Sequence, residues 1–181
     1  MKRIIIFFIA VFYMQGYVTA SVGAFEVKGN YFIPSEQAFK DIYGGGFAFG
    51  AEVSFKIWNN LHFWADGRFL SRKGELTFTK EETKLQIIPI GFGLKYFLTA
   101  GTLQFYGGIG GGYFIFKESN VIGDVSKGGF GFITRIGALF QVTDSFFFDL
   151  FGNYSNCKMQ PADFSIDIGG IEAGIGAGFK F

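Results

Sequence analysis

Residues 47–57 read FAFGAEVSFKI. In an extended chain Phe47, Phe49, Ala51, Val53, Phe55 and Ile57 share one face, and Ala48, Gly50, Glu52, Ser54 and Lys56 share the other. Successive side chains of a strand point to opposite sides. The stretch is therefore a strand with one bulky apolar face and one face of small and charged residues. A helix would scatter the same phenylalanines around its circumference. The fold turns on which of the two faces is enclosed.

The alternation recurs along the chain. It appears at 25–33, 61–69, 88–96, 103–116, 130–141, 145–155 and 170–181, which with 47–57 makes eight strands. Between them, Trp58-Asn59-Asn60, 99–102 and 142–145 read as tight turns, whereas 34–45, 71–85, 117–129 and 156–169 are long and polar. Short and long connections in strict turn put the tight turns at one end of the sheet and the loops at the other. That is the plan of an all-β, antiparallel, up-and-down transmembrane β-barrel, with short periplasmic turns and four longer extracellular loops. Strand cores of about nine to eleven residues suit a tilted crossing of the bilayer.

A soluble eight-stranded barrel would carry the same pattern with the apolar face inside. Volume excludes it, because the interior of such a barrel is only just filled by side chains. Here the apolar face carries sixteen aromatic rings, Phe47, Phe63, Phe92, Phe130, Phe148 and Phe181 among them. The opposite face is rich in glycine: Gly50, Gly91, Gly93, Gly108, Gly110, Gly112, Gly131, Gly137, Gly174, Gly176 and Gly178. Glycine weakens a strand and gives a watery exterior nothing, but it suits a narrow lumen. The rings therefore face lipid. Within the bilayer every backbone polar group must find a partner in the protein, so the last strand must close on the first. Pro89 is the discordant residue, since it cannot donate to a ladder. A bulge or a water near the outer boundary of the membrane is expected to absorb that loss.

Composition agrees. Of 181 residues, 27 are Phe and 28 are Gly, and aromatics make up 20%, far above an ordinary soluble domain. The formal net charge is +1, which gives no nucleic-acid footprint. A single cysteine, Cys157, excludes a disulfide within the chain. Lys2 and Arg3 precede the apolar run Ile4–Met14, and small-residue patterns end at Ala20 and Ala24. Residues 1–24 are thus expected to be a secretory signal peptide cleaved after Ala20 or Ala24, and 25–181 the barrel.

Several stretches carry a family resemblance: IPIGFGLKYFL at 88–98, FYGGIGGGYFIF at 105–116 and the terminal GAGFKF at 176–181, behind the signal peptide and within eight alternating strands. The mature chain resembles the small eight-stranded outer-membrane barrels of Gram-negative bacteria, the OmpA/OmpX class. The resemblance implies a monomer in the cell outer membrane, surrounded by lipid. It also implies that Phe179 and Phe181, in the last strand, are read by the barrel-assembly machinery.

The inward charges are nearly balanced: Lys28, Lys56, Arg68, Lys95, Arg135 and Lys180 face Glu26, Glu52, Asp66, Asp149 and Glu172. Counting along each strand brings Glu52, Asp66, Arg68, Arg135 and Asp149 to similar height. These five are expected to form a hydrogen-bonded ion network that plugs the lumen, since buried charges persist only when paired; the alternative for the same residues is a gate or a proton-linked pathway. His62, the only histidine, stands near a short turn without a Ser or carboxylate arrangement, and reads as a lumen-filling side chain. The glycine runs at 107–112 and 174–178 are followed by no helix, so they are not phosphate loops. Cys157 reads as a free thiol in the last external loop. Trp58, Tyr96 and Phe146 near the short turns, and Tyr31, Tyr113 and Tyr154 higher up, suit interfacial girdles.

No catalytic, metal or cofactor constellation emerges. The expected function is a non-enzymatic outer-membrane barrel, structural or adhesive through its extracellular loops and whatever partner they meet. The alternative is a narrow pore or a transporter of small apolar molecules. In the second loop, Leu76–Thr79 and Leu85–Ile87 flank KEET and are expected to lengthen strands three and four above the membrane. Such a raised hairpin would offer an edge to a partner strand.

Overall fold

The computed structural model describes residues 22–75, 82–121, 123–159 and 166–181; the expected signal peptide, through Ala20, lies outside them. Eight long strands form the body: β1 (Gly23–Pro34), β2 (Gly46–Trp58), β3 (Leu61–Glu75), β4 (Glu82–Ala100), β5 (Leu103–Asn120), β6 (Gly123–Gln141), β7 (Phe146–Asn156) and β8 (Gly170–Lys180). They close into one barrel in which each strand pairs antiparallel with its neighbours in sequence and β8 pairs with β1. The seam runs from Ala24 opposite Lys180 to Pro34 opposite Gly170. Beyond it, Phe181 N–H donates to the Gly23 carbonyl at 2.9 Å, and Val22 and Gly23 donate to the Phe181 carbonyl at 2.9 and 3.0 Å. Closure of β8 on β1 leaves no strand of the barrel unpaired along its length in the wall, as a membrane-spanning sheet requires.

The outward face is as expected. Fourteen of the sixteen rings are exposed, up to 68% for Phe47 and 80% for Phe130. Phe179 and Phe181 are half-buried because they stack on each other and on Phe25 and Phe55 across the seam. Trp58, Tyr96 and Phe146 at the short-turn end and Tyr31, Tyr113 and Tyr154 toward the loops are all exposed on this face.

The loop end follows the sequence reading at the second connection, as far as the described residues go (Leu76–Thr79 lies outside them), and differs from it at the others. Residues 71–75 and 82–85 continue β3 and β4, paired as far as Glu75 opposite Glu82. The stretch 117–129 is mostly ladder too, with Asn120 opposite Gly123. Alternation there is weak because these residues stand clear of lipid, so polar side chains fill both faces. The loop at 34–45 holds a seven-residue helix, α1 (Gln37–Tyr43). Phe39, Ile42 and Tyr43 have helical spacing, but two turns are too few to stand out in a sequence. Packing forms α1: Phe39 meets Phe32 and Tyr43 with ring centroids at 6.5 and 5.2 Å. Gly44, at φ 62°, supplies the left-handed residue that ends it.

Pro89 is accommodated without a bulge. Its pairing with Phe114 of β5 is kept. On the β3 side the ladder passes from Gly67–Ile90 to Leu70–Ile87 in unchanged register, so only the two intervening pairs are lost. The register shift in the wall lies elsewhere, between Lys56 and Trp58 at the β2–β3 turn.

Candidate functional site

The lumen is filled in two layers above a cavity at the short-turn end, each set by which residues the inward parity supplies. In the middle, Glu52 of β2 accepts hydrogen bonds from three cations: Lys28 of β1 at 2.8 Å, Lys95 of β4 and Arg135 of β6. Arg135 also donates to Asp66 of β3 at 2.9 Å. Arg68 lies 3.4 Å from Asp66 and donates to Glu172 of β8, which takes a further bond from Asn30 at 2.9 Å. Asp149 of β7 lies 3.6 Å from Lys28 and accepts from the Tyr106 hydroxyl at 2.7 Å. All these groups are buried.

Glu52, Asp66, Arg68, Arg135 and Asp149 thus fall within one connected cluster. Lys28, Lys95 and Glu172 occupy positions as central as theirs, although counting residues from the turns places them at other heights. Strands of a barrel tilt and stagger, so equal counts on different strands are not equal heights, and a lysine spans a further turn of distance by its stem. Tyr106 and Trp64 were legible by parity, Tyr106 aligning with inward Gly108 and Gly110, but nothing in the sequence joins them to the charges.

Glycine makes room for the cluster. Trp64 is fully buried and lies across Gly91, Gly93 and Gly110; a Cβ at Gly110 would come within 2.6 Å of the indole, and one at Gly93 within 2.7 Å. The indole in turn carries Arg135 on its face, the guanidinium carbon 3.4 Å from the ring centroid. Cation–π contact of this kind is strongest where water is excluded.

Toward the loops the filling becomes apolar. Phe32, Leu70, Ile87, Phe114 and Ile133 of the wall are buried against Phe39 of α1 and against Cys157, Met159 and Ile168 of the β7–β8 connection. That connection is folded by a two-residue ribbon, Lys158–Met159 with Ile166–Asp167. The Asp167 carboxylate accepts from the amides of Cys157 and Gly169 at 3.0 and 2.8 Å and from the Asn156 side chain. Cys157 is therefore not exposed on a loop. It is enclosed, and burial, with Asp167 nearby, pushes its thiol up to about 11.

At the short-turn end the lumen opens into a cavity of about 290 Å³ bordered by the β2–β3 turn, His62, Lys56, Lys95 and Lys180. His62 packs edge-on against Phe97, ring centroids 4.7 Å apart.

Among solved structures, Neisserial surface protein A superposes with a TM-score of 0.66 at 18% identity, covering 88% of this chain and 97% of that one. The fold is that of the small eight-stranded outer-membrane barrels. The outer membrane protein OprG from Pseudomonas aeruginosa matches with a TM-score of 0.66 at 13% identity over 90% of this chain and 97% of its own. The attachment invasion locus protein of Yersinia pestis matches with 0.56 at 16% identity, over 90% and 100%. At these identities the likeness is one of fold. No family model matches the chain, and no curated protein matches it in sequence. The lipid-facing rings and the fold together put the barrel in the outer membrane, short turns on the periplasmic side.

Proposed function

We propose that this is a non-enzymatic outer-membrane barrel whose lumen is plugged and which acts through the surface it raises outside the cell. The observation that carries the reading is the double filling of the lumen. A charged layer around Glu52 and an apolar layer around Phe114 and Ile168 lie one above the other, and a solute would have to displace both. In planar bilayers the pure protein should show no steady conductance, and Arg135→Ala should introduce leak events. Steady conductance that Arg135→Ala leaves unchanged would overturn the plug and favour the pore.

The raised part has a defined interaction element. β7 pairs with β6 only from Phe132 to Gln141. Among the described residues, Gly123–Gly128 of β6 therefore bond to β5 alone, and all six are exposed. The corresponding edge of β3 is covered, since Gly74 abuts the Ile42 carbonyl and Tyr43 of α1. Open backbone donors and acceptors favour an extended partner segment added as a strand. The attachment invasion locus protein has been crystallised with the heparin analogue sucrose octasulfate. In this chain the connections 34–45, 71–85, 117–129 and 156–169 carry eight Lys and Arg against nine Asp and Glu, and this near-balance favours strand addition over a polyanion. Replacing Ser126 by proline, which removes one backbone donor, should weaken capture of host-surface protein in a cell-binding assay while barrel assembly is kept. Unchanged adhesion would locate the contact elsewhere.

In the seam, Phe179 and Phe181 of the last strand are proposed as the assembly signal. Their half-exposed, stacked position on the lipid side at the periplasmic end supports recognition before the barrel closes.

A further inference from the structure

The periplasmic cavity differs in charge from the layers above it. Lys56, His62 and Lys95 form one cross-strand row, Lys56 opposite His62 and His62 opposite Lys95, and Lys180 enters from β8. Lys95 is taken by Glu52. Lys180 is not: its ammonium donates to the amide oxygens of Gln104 and Gln141 at 3.2 and 3.1 Å, which are neutral. Lys56, exposed at the opening, has no carboxylate within ion-pair distance among the described residues. The carboxylate that reaches this wall, Glu26, lies 3.4 Å from Lys28.

The two lysines also stand apart from the charged layer above. Leaving out Lys56 and Lys180, four cations (Lys28, Arg68, Lys95, Arg135) meet five carboxylates (Glu26, Glu52, Asp66, Asp149, Glu172). That count leaves the central network one cation short, yet neither lysine supplies it: among the described residues no ion pair joins Lys56 or Lys180 to any of the five carboxylates. Two uncommitted ammonium groups border a cavity whose mixed lining includes two buried aromatic rings, Phe97 and Phe147. The paired amides fix Lys180 without neutralising it, which is preorganisation for an incoming acceptor. The volume is near the lower end for small-molecule sites.

We propose that this vestibule binds small organic anions from the periplasm, carboxylates with an apolar body: the carboxylate between Lys56 and Lys180, the body against Phe97 and Phe147. The plugged lumen above makes it a binding site rather than the mouth of a path, although the site itself does not depend on the plug.

The test uses the whole barrel refolded in detergent, benzoate as probe and benzamide as its neutral isostere, read by calorimetry and by NMR shifts of the Gln104 side-chain amide. Benzoate should bind and shift Gln104, and benzamide should do neither. Lys180→Gln and Lys56→Gln should each weaken benzoate about tenfold, the loss of one charge-assisted hydrogen bond, while Lys84→Gln on the outer surface changes nothing. Lys56 has no ion pair to lose, so its variant folds even if the Lys180 one does not, and heat-dependent gel mobility checks both. Equal binding of benzoate and benzamide, undiminished benzoate binding in Lys56→Gln, or no benzoate binding up to about 50 mM would each overturn the proposal.

Discussion

Arg135 of β6 and Trp64 of β3 meet across the lumen, the guanidinium carbon 3.4 Å above the indole centroid. Their strands are not neighbours in the sheet, so the contact ties opposite walls together. The same guanidinium reaches Asp66 and Glu52. Arg135→Ala should cost about 3–5 kcal/mol, because it leaves buried carboxylates short of a partner. Urea unfolding followed by heat-dependent gel mobility measures it. A cost below about 1 kcal/mol would mean the pairs behave as surface pairs.

Gly91 tests whether the lumen is filled to its limit. A Cβ there would lie 2.6 Å from Asp66 Oδ1 and 2.7 Å from Ile133 Cδ1, both side-chain atoms. Gly91→Ala should destabilise the barrel by about 1–3 kcal/mol through overpacking. Ile133→Val deletes the second of those atoms, so the double variant should recover part of the loss. Strict additivity of the two in the unfolding free energy would show that the space is not shared.

Cys157 reports on the external plug. It is fully buried, and its thiol is pushed up to about 11. At pH 7.5 the folded protein should resist maleimide, and the residual rate should rise about tenfold per pH unit toward pH 10, following the thiolate fraction. Asp167→Ala removes the acceptor of three hydrogen bonds and should speed modification about 10–100-fold, as expected when a charged hydrogen-bond acceptor is lost. Rapid labelling of the wild type at pH 7.5 would show the β7–β8 connection to be open.

Phe181→Ala keeps the backbone bonds of the seam and removes one ring from a stack with Phe55 and Phe179. Stability of the folded barrel should fall by only about 1 kcal/mol, whereas the rate of assembly in cells should fall severalfold more. Equal effects on both would remove the case for an assembly signal.

The seam also bears on processing. Val22 and Gly23 donate to the Phe181 carbonyl, and Ala24 pairs with Lys180. Cleavage after Ala24 would discard those bonds, so the mature chain is expected to begin at Ser21; intact-protein mass spectrometry decides it, and a chain starting at Phe25 would contradict it.

What could be read in advance divides by physical range. Strand parity was legible because it is a property of adjacent residues: Phe47 and Phe49 cannot share a face with Glu52. The outward direction of the rings followed from volume alone. Helix α1 was hidden, since Phe39, Ile42 and Tyr43 make one i, i+3, i+4 set and depend on Phe32 for their packing. The raised hairpins were half-visible, because above the membrane neither face is forced to be apolar.

The sequence by itself determined a closed eight-stranded barrel with rings to lipid and charges to the lumen, since alternation, glycine placement and the need to pair every backbone group in a bilayer leave no other solution. The tertiary structure alone decided which charges meet. Stagger brings Lys28, Lys95 and Arg135 onto one carboxylate, Glu52, and leaves Lys180 among amides. Those partnerships depend on the offset between strands, which is set by closure of the whole sheet and by no local stretch of it.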